Sequence, residues 1–296
     1  MKISKIMQRI IPYLNQVPAL FFAVILIVQG DAVAGDISAI TQSGYAILTN
    51  FGQDSPYFTG VQKLKNYRNA QIIHFENDPF SAVDTLRALQ PSYVAVLIGP
   101  TDMDEGFAYD IFVLAKQMDD EYDTDFSYGF ITGNNPQDVE NYIDHVIQYE
   151  SGDSQLQKTY RCFWRTGPGA VGGGFEGNGH EFTAEMVNIA SGFGLDAERV
   201  NLDSTDREDM FTHLKNSGIL HLYLHGDVPH VENIAYNEIP QLDNPVIILN
   251  SACFCGCTSK YYNQNTTIIY DNYEDRAVYL DPEMSFTLSL LNRMTF

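Results

Sequence analysis

Short apolar runs alternate with amphipathic stretches along most of this chain, and that rhythm limits the fold more than any other feature. Tyr45–Leu48, Gln71–His74, Tyr93–Ile98 (YVAVLI) and Phe126–Thr132 (FSYGFIT) read as strands. Tyr57–Tyr67, Phe80–Leu89 and Gly106–Met118 read as the helices between them, and Asn134-Asn135-Pro136 opens a further helix over Gln137–Glu150. Proline in a first helical turn after asparagine is a start signal, because its missing N–H has no intrahelical partner there. The pattern resumes with an apolar stretch at Thr159–Trp164, a helix over Glu181–Gly192, a short strand at Arg199–Leu202 and a helix over Asp206–Asn216. Two strong strands follow, Ile219–Leu224 and Val246–Leu249, then a polar, tyrosine-rich tail and a last helix at Pro282–Met294. The Val-Ile-Ile-Leu run is apolar at every position, as a strand buried on both faces requires. Strands alternating with helices predict an α/β chain with a mostly parallel sheet flanked by helices.

Between Glu150 and Gln157 the composition shifts to Ser, Gly, Asp and Gln, the best candidate for a subdomain boundary. The expected organisation is an N-terminal α/β subdomain over 35–150 and a second subdomain over 151–296. A chain of 296 residues, 45% of them hydrophobic, can bury one large core or two modest ones. Acidic residues outnumber basic ones by 38 to 17, and that field repels phosphate backbones and anionic lipid, so nucleic acid is not an expected partner. Dense carboxylates could hold calcium, but no D-x-[DN]-x-[DN]-G loop occurs.

The first 34 residues have the layout of a secretory signal peptide. Lys2, Lys5 and Arg9 form a positive start, Val17–Val28 is an apolar run of 12 residues, and Ala32-Val33-Ala34 is an A-x-A cleavage site. The run is short against the ~20 residues of a membrane span. The expectation is cleavage after Ala34 and a mature chain without a membrane span, secreted or held in the periplasm or at the cell surface.

Three of the four cysteines, Cys253, Cys255 and Cys257, crowd into five residues, with Cys162 far upstream. C-x-C pairs bridge only with strain, so this is not a disulfide framework, although one bridge from Cys162 to the cluster stays open. The crowding falls where chemistry is expected. Ile219–Gly226 (ILHLYLHG) is a buried strand ending in His225-Gly226, and Val246–Gly256 (VIILNSACFCG) is a second ending in a small-residue turn that carries Cys253. In parallel sheets functional groups collect at the carboxyl ends of strands, where the loops converge on a crevice. A thiol attacks as its thiolate, and a nearby imidazole can raise the thiolate fraction and later protonate the leaving amine. The amides of Gly226 and Cys253 could cradle the developing oxyanion. His221 shares a strand face with His225 by period two and is read as packing or support, and His230 as a rim residue.

The H-G after one apolar strand and the S-A-C-x-x-G after the next resemble the caspase-like (clan CD) cysteine peptidases, and the fuller similarity is to the gingipain family. Tyr128–Glu150 (YGFITGNNPQDVENYIDHVIQYE) is similar to that family's strand, turn and helix upstream of the catalytic core, and Met284–Asn292 (MSFTLSLLN) to the helix after the nucleophile loop. The resemblance spans roughly Tyr93 to the C-terminus. It implies a caspase-like sheet in two subdomains, His225 as catalytic histidine, Cys253 as nucleophile, Gly226 as an oxyanion donor, polypeptide substrates and no cofactor. The sequence departs from the family pattern at Cys255 and Cys257, at Asp227 after H-G, and at its end, where the family continues into another strand; a C-terminally shortened domain is expected.

Other motifs are weaker. Gly167-Pro-Gly-Ala-Val-Gly172 satisfies G-x-G-x-x-G but runs into more glycine instead of a helix, and reads as a loop at the rim. His180-Glu181 begins like a zinc-protease helix, but Ala184 stands where the second histidine belongs. No G-x-S-x-G elbow occurs. Two alternatives to a peptidase stand: a metal site built from the three clustered cysteines with His221 or His225, against which the C-x-C spacing argues, and a catalytically inactive caspase-like binding module.

Overall fold

The computed structural model describes residues 44–119, 124–152, 155–165, 176–224, 226–227, 230–231, 234–242, 246–250, 260–262, 277–279 and 281–293. Two four-stranded sheets, each wholly parallel, carry the fold. The first has the order β2–β1–β3–β4, from β1 (Tyr45–Thr49), β2 (Gln71–His74), β3 (Tyr93–Leu97) and β4 (Ser127–Ile131). Alternate residues point to opposite faces of a strand, and each face of this sheet has its own core. Ile47, Ala95 and Leu97 meet Val61 and Leu64 of α1 (Phe58–Arg68) and Val139 and Ile143 of α4 (Pro136–Ser151). Ala46, Leu48, Val94 and Val96 meet Leu86 of α2 (Val83–Leu89) and Ile111 and Leu114 of α3 (Glu105–Leu114). α1 and α4 pack closely at Gly60, where an added Cβ would lie 2.9 Å from a Val139 methyl.

The helices begin and end where side chains can satisfy their free backbone groups. Asp104 accepts from the Phe107 N–H at the start of α3, and Asn135 from the Asp138 N–H at the start of α4. Gly152 ends α4 at φ +82°, in the left-handed region that glycine occupies without strain. The expected helix over Gln137–Glu150 is therefore α4 with one residue more at each end.

The second sheet has the order β11–β7–β5–β6, from β5 (Thr159–Trp164), β6 (Asp196–Asn201), β7 (Ile219–Leu222) and β11 (Ile247–Asn250). One face buries Tyr160, Cys162 and Ile219 against Ala190 of α5 (Glu176–Gly192). The other buries Phe163, Val200, Leu220 and Leu222 against Met210 and Leu214 of α6 (Arg207–Lys215) and Phe286 of α7 (Phe286–Asn292). Beside this sheet lie a small antiparallel unit, β8 (Gly226–Asp227), β9 (His230–Val231) and β10 (Ile234–Ala235), and an antiparallel pair, β12 (Lys260–Tyr262) and β13 (Ala277–Tyr279).

The chain thus adopts the mostly parallel α/β architecture, flanked by helices, that its alternation predicts. The sequence reading differs from the structure in detail. α5 begins at Glu176, five residues before the expected Glu181, and takes in Gly177 and Gly179, whose low helix propensity hides a start. β6 begins at Asp196, ahead of the expected Arg199, because β5 supplies a parallel partner for a polar edge segment. The last helix is two pieces, a single 3₁₀ turn at Pro282–Met284 capped by Asp281 and then α7. No helix among the described residues is long and apolar enough to cross a membrane.

Candidate functional site

The carboxyl edge of the second sheet is set by how β7 begins. The Gly218 N–H donates to the Thr159 hydroxyl (2.8 Å), which donates to the Asn216 carbonyl (3.0 Å). The Gly218 carbonyl accepts from Ile247 N–H (2.9 Å), which locks β11 to the same level. Glycine is required here, since a Cβ would sit 1.9 Å from the Gln157 carbonyl oxygen. From that anchor the two parallel strands run in register, Ile247 beside Ile219 through Asn250 beside Leu222. β7 and β11 therefore reach their carboxyl ends side by side. His225 stands three positions after Leu222 and Cys253 three positions after Asn250.

Both candidate catalytic residues lie outside the described residues, as do Cys255, Cys257, the expected signal segment 1–34 and the G-x-G-x-x-G stretch Gly167–Gly172. Gly226 is described: it opens β8, opposite Val231 of β9, with Asp227 opposite His230. Leu224, which precedes His225, is buried in the α6-side core.

A different Cys–His pair sits deeper in the same sheet. Cys162 and His221 are register partners across β5 and β7, and the Tyr160 hydroxyl lies 2.8 Å from His221 Nδ1. Phe182 and Tyr223 meet the imidazole edge-on. Burial lowers the His221 pKa to about 4, so the ring is neutral, and one ring nitrogen exchanges a hydrogen bond with the tyrosine. Burial raises the Cys162 thiol to about 12, against smaller opposing effects of the Tyr160 hydroxyl and Arg199. A thiol of that pKa is ionised at neutral pH to only about one part in 10⁵. Cys162 is a free, fully buried cysteine, and it has neither the access nor the thiolate to be a nucleophile. His221 fits its expected role as a packing residue.

No family model matches the sequence, and no curated protein matches it. Among solved structures, "Structure of Protease" superposes with a TM-score of 0.51 at 9% identity, over 72% of this chain and 53% of that one. The likeness is one of fold, and the chain spans about half the length of that protein. A D-isomer specific 2-hydroxyacid dehydrogenase from Lactobacillus delbrueckii ssp. bulgaricus, in its NAD complexed form, matches at 12% identity over 70% of each chain. Its TM-score of 0.21 is too low to carry any argument.

One feature of the edge was not legible in the sequence. Trp164, the last residue of β5, is nearly buried, with the Arg199 guanidinium 4.9 Å over its ring and the His180 ring edge-on at 5.1 Å. Arg199 also donates to the His180 carbonyl (3.1 Å), tying β6 to α5. His180 is thus an exposed helical residue packed edge-on against a tryptophan. A single tryptophan at the end of a strand was the available signal. Among the described residues no group of three or more His, Cys, Asp and Glu side chains is placed to hold a metal ion.

Proposed function

We propose that this chain is an exported cysteine endopeptidase of the gingipain-like kind, with Cys253 as nucleophile and His225 as its acid–base partner. The supporting observation is the in-register parallel pair β7 and β11, whose last partners, Leu222 and Asn250, stand equally far from the two candidates. Neighbouring parallel strands that end level deliver their next residues to one crevice, which is what a thiol–imidazole dyad needs. The fold likeness to a protease favours the same reading.

In this mechanism His225 takes the Cys253 proton and the thiolate adds to the peptide carbonyl carbon. The amides of Gly226 and Cys253 receive the oxyanion. Collapse of the tetrahedral adduct breaks the C–N bond, and His225 delivers its proton to the departing amine. Water, deprotonated by His225, then cleaves the thioester and regenerates the thiol. The chemistry needs no cofactor, and the substrates are polypeptides. The start of the sequence supports export with cleavage after Ala34, so the N-terminus of exported protein is expected to read Gly35-Asp36-Ile37.

The test is covalent labelling. Mature protein incubated with peptidyl acyloxymethyl ketones or chloromethyl ketones is expected to carry one adduct at Cys253, and none in His225→Ala. An unlabelled protein that copurifies with stoichiometric zinc would instead be a Cys/His metal protein, and one with neither label nor metal a binding module.

A further inference from the structure

Arg68, Arg87, Arg161, Arg165 and Arg207 each pair with an acidic side chain. Arg199 has no such partner among the described residues. Its guanidinium lies over the Trp164 ring at 4.9 Å, and Nη1 donates to the His180 carbonyl (3.1 Å). The acidic residues of its own strand, Asp196 and Glu198, alternate to the opposite face and are taken by Arg161. In a chain of net charge −21, a guanidinium without a carboxylate is out of keeping with its surroundings.

The shape of the group decides what it can take. Nη1 is committed to the carbonyl, which leaves Nε and Nη2, two donors on one edge of the planar fork. Arg199 is half-buried, and neither of these nitrogens is shut away from solvent. Such an edge matches the two oxygens of a carboxylate. Trp164 and the His180 carbonyl hold the fork in place beforehand, so little side-chain freedom is lost when an anion arrives. The place is also telling. Trp164 ends β5, and the Tyr223 N–H, just past β7, donates to the Phe163 carbonyl (3.0 Å), so the guanidinium lies near the carboxyl edge. With strands ~4.8 Å apart, β6 lies about 10 Å from β7 and about 14 Å from β11. An extended peptide, at ~3.3 Å per residue, covers that in about three or four residues.

We propose that Arg199 binds the side-chain carboxylate of an acidic residue in a polypeptide lying along this edge, side-on through Nε–H and Nη2–H. That the polypeptide is a substrate rests on the peptidase reading, and the acidic residue then stands about three or four positions from the scissile bond.

The test titrates the chain carrying Cys253→Ala, which cannot turn substrate over, with acetylated and amidated alanine–serine peptides of one length that hold a single Glu or Gln. A further Gln peptide ends in a free carboxylate. Trp164 is the chain's single tryptophan, so its fluorescence and indole N–H resonance report on this site alone. The Glu peptide is expected to bind about fivefold more tightly than the blocked Gln peptide, the upper end for a half-exposed ion pair, and to move the Trp164 signals. Arg199→Gln is expected to erase that preference, and Arg199→Lys, which keeps the charge without the fork, to cut it to about twofold. Equal binding of Glu and Gln peptides overturns the proposal, as does a preference that survives in R199Q. Tighter binding of the peptide with a free terminus overturns the assignment to a side chain. Variants that lower the melting temperature but keep the preference would leave Arg199 only the task of holding β6 to α5. Should R199Q fail to fold, R199K and the peptide ranking still decide. Ketone labelling of the wild-type chain keeps the two readings apart. Labelling at Cys253 without a Glu preference overturns the carboxylate site alone, and a Glu preference without labelling overturns the peptidase alone.

Discussion

His221 and Cys162 are ionisable residues that the fold holds uncharged, and this has measurable consequences. A histidine whose folded pKa is lowered to about 4, against 6.5 unfolded, is bound to fewer protons in the native state between those values. Its stabilising contribution is complete above the unfolded pKa and is lost as pH falls from about 6.5 toward 4, up to about 3 kcal/mol for a shift of that size. His145 is shifted the same way by burial, but it is unchanged in a His221 variant and cancels in the comparison. His221→Gln can keep a hydrogen bond to Tyr160 and cannot titrate, so its unfolding free energy is expected to fall less steeply than wild type over this range. Parallel urea-denaturation curves for the two proteins across pH 4 to 6.5 would remove His221 from the account. Cys162 gives the complementary case. With its thiol raised to about 12 and fully buried, it is expected to resist iodoacetamide in the native protein and to react only after unfolding. Mass mapping of alkylated native protein checks this, and native labelling at Cys162 would show that the sheet opens far more readily than its packing implies.

At the scale of elements, the carboxyl edge depends on the start of β7, and Gly218 is the residue to challenge. The atom that a Cβ would strike is a backbone oxygen, 1.9 Å away, so relief requires moving the segment before β5 and with it the Thr159 anchor. Gly218→Ala is expected to cost about 3 kcal/mol, the upper part of the range for overpacking, and to loosen the level between β7 and β11. The proposed labelling at Cys253, per folded molecule, should fall along with stability, and a variant of wild-type stability would show that the register is fixed elsewhere. The same elements explain what could be read in the sequence. β3, β7 and β11 are built mostly from Val, Ile and Leu, so their apolar character is plain without tertiary information, and Asn135-Pro136 announces α4 through cap chemistry alone. β6 could not be read as a whole, because Asp196, Glu198 and Arg199 form a strand only through their pairing with β5. β8, β9 and β10 are two residues each and exist through their pairing with one another, and β12 and β13 are joined across a long sequence gap. At the candidate site, the two strands and the buried role of His221 were legible from pattern and period, but β7 stops at Leu222, two residues short of the expected Leu224, and β11 runs one residue past the expected Leu249. The Trp164–Arg199–His180 cluster was not, since it joins three elements through side chains that carry no common motif.

At the scale of the molecule, the four buried cores divide cleanly between the two sheets, and each draws its residues from one side of the segment after α4. Contact between the halves includes the packing of α7 against α4. Within the first half, α1 and α4 are tied by Lys63 to Asp144 (2.9 Å) and by Arg68 to Glu150, so its helical layer closes on itself without the second half. These facts support the proposal that 35–150 and 151–296 are distinct subdomains, and they make it testable by dissection. A piece ending at Gly152 keeps the left-handed residue that terminates α4, and it retains all four strands of the first sheet and both of its cores. A unit of that size buries enough surface to fold alone. Residues 35–152 are therefore expected to unfold cooperatively in urea, in a single transition seen alike by circular dichroism and fluorescence. A non-cooperative fragment would mean that the cover α7 gives to α4 is indispensable. The two sheets would then form one folding unit, and destabilising changes in the first would be expected to lower the stability of the second.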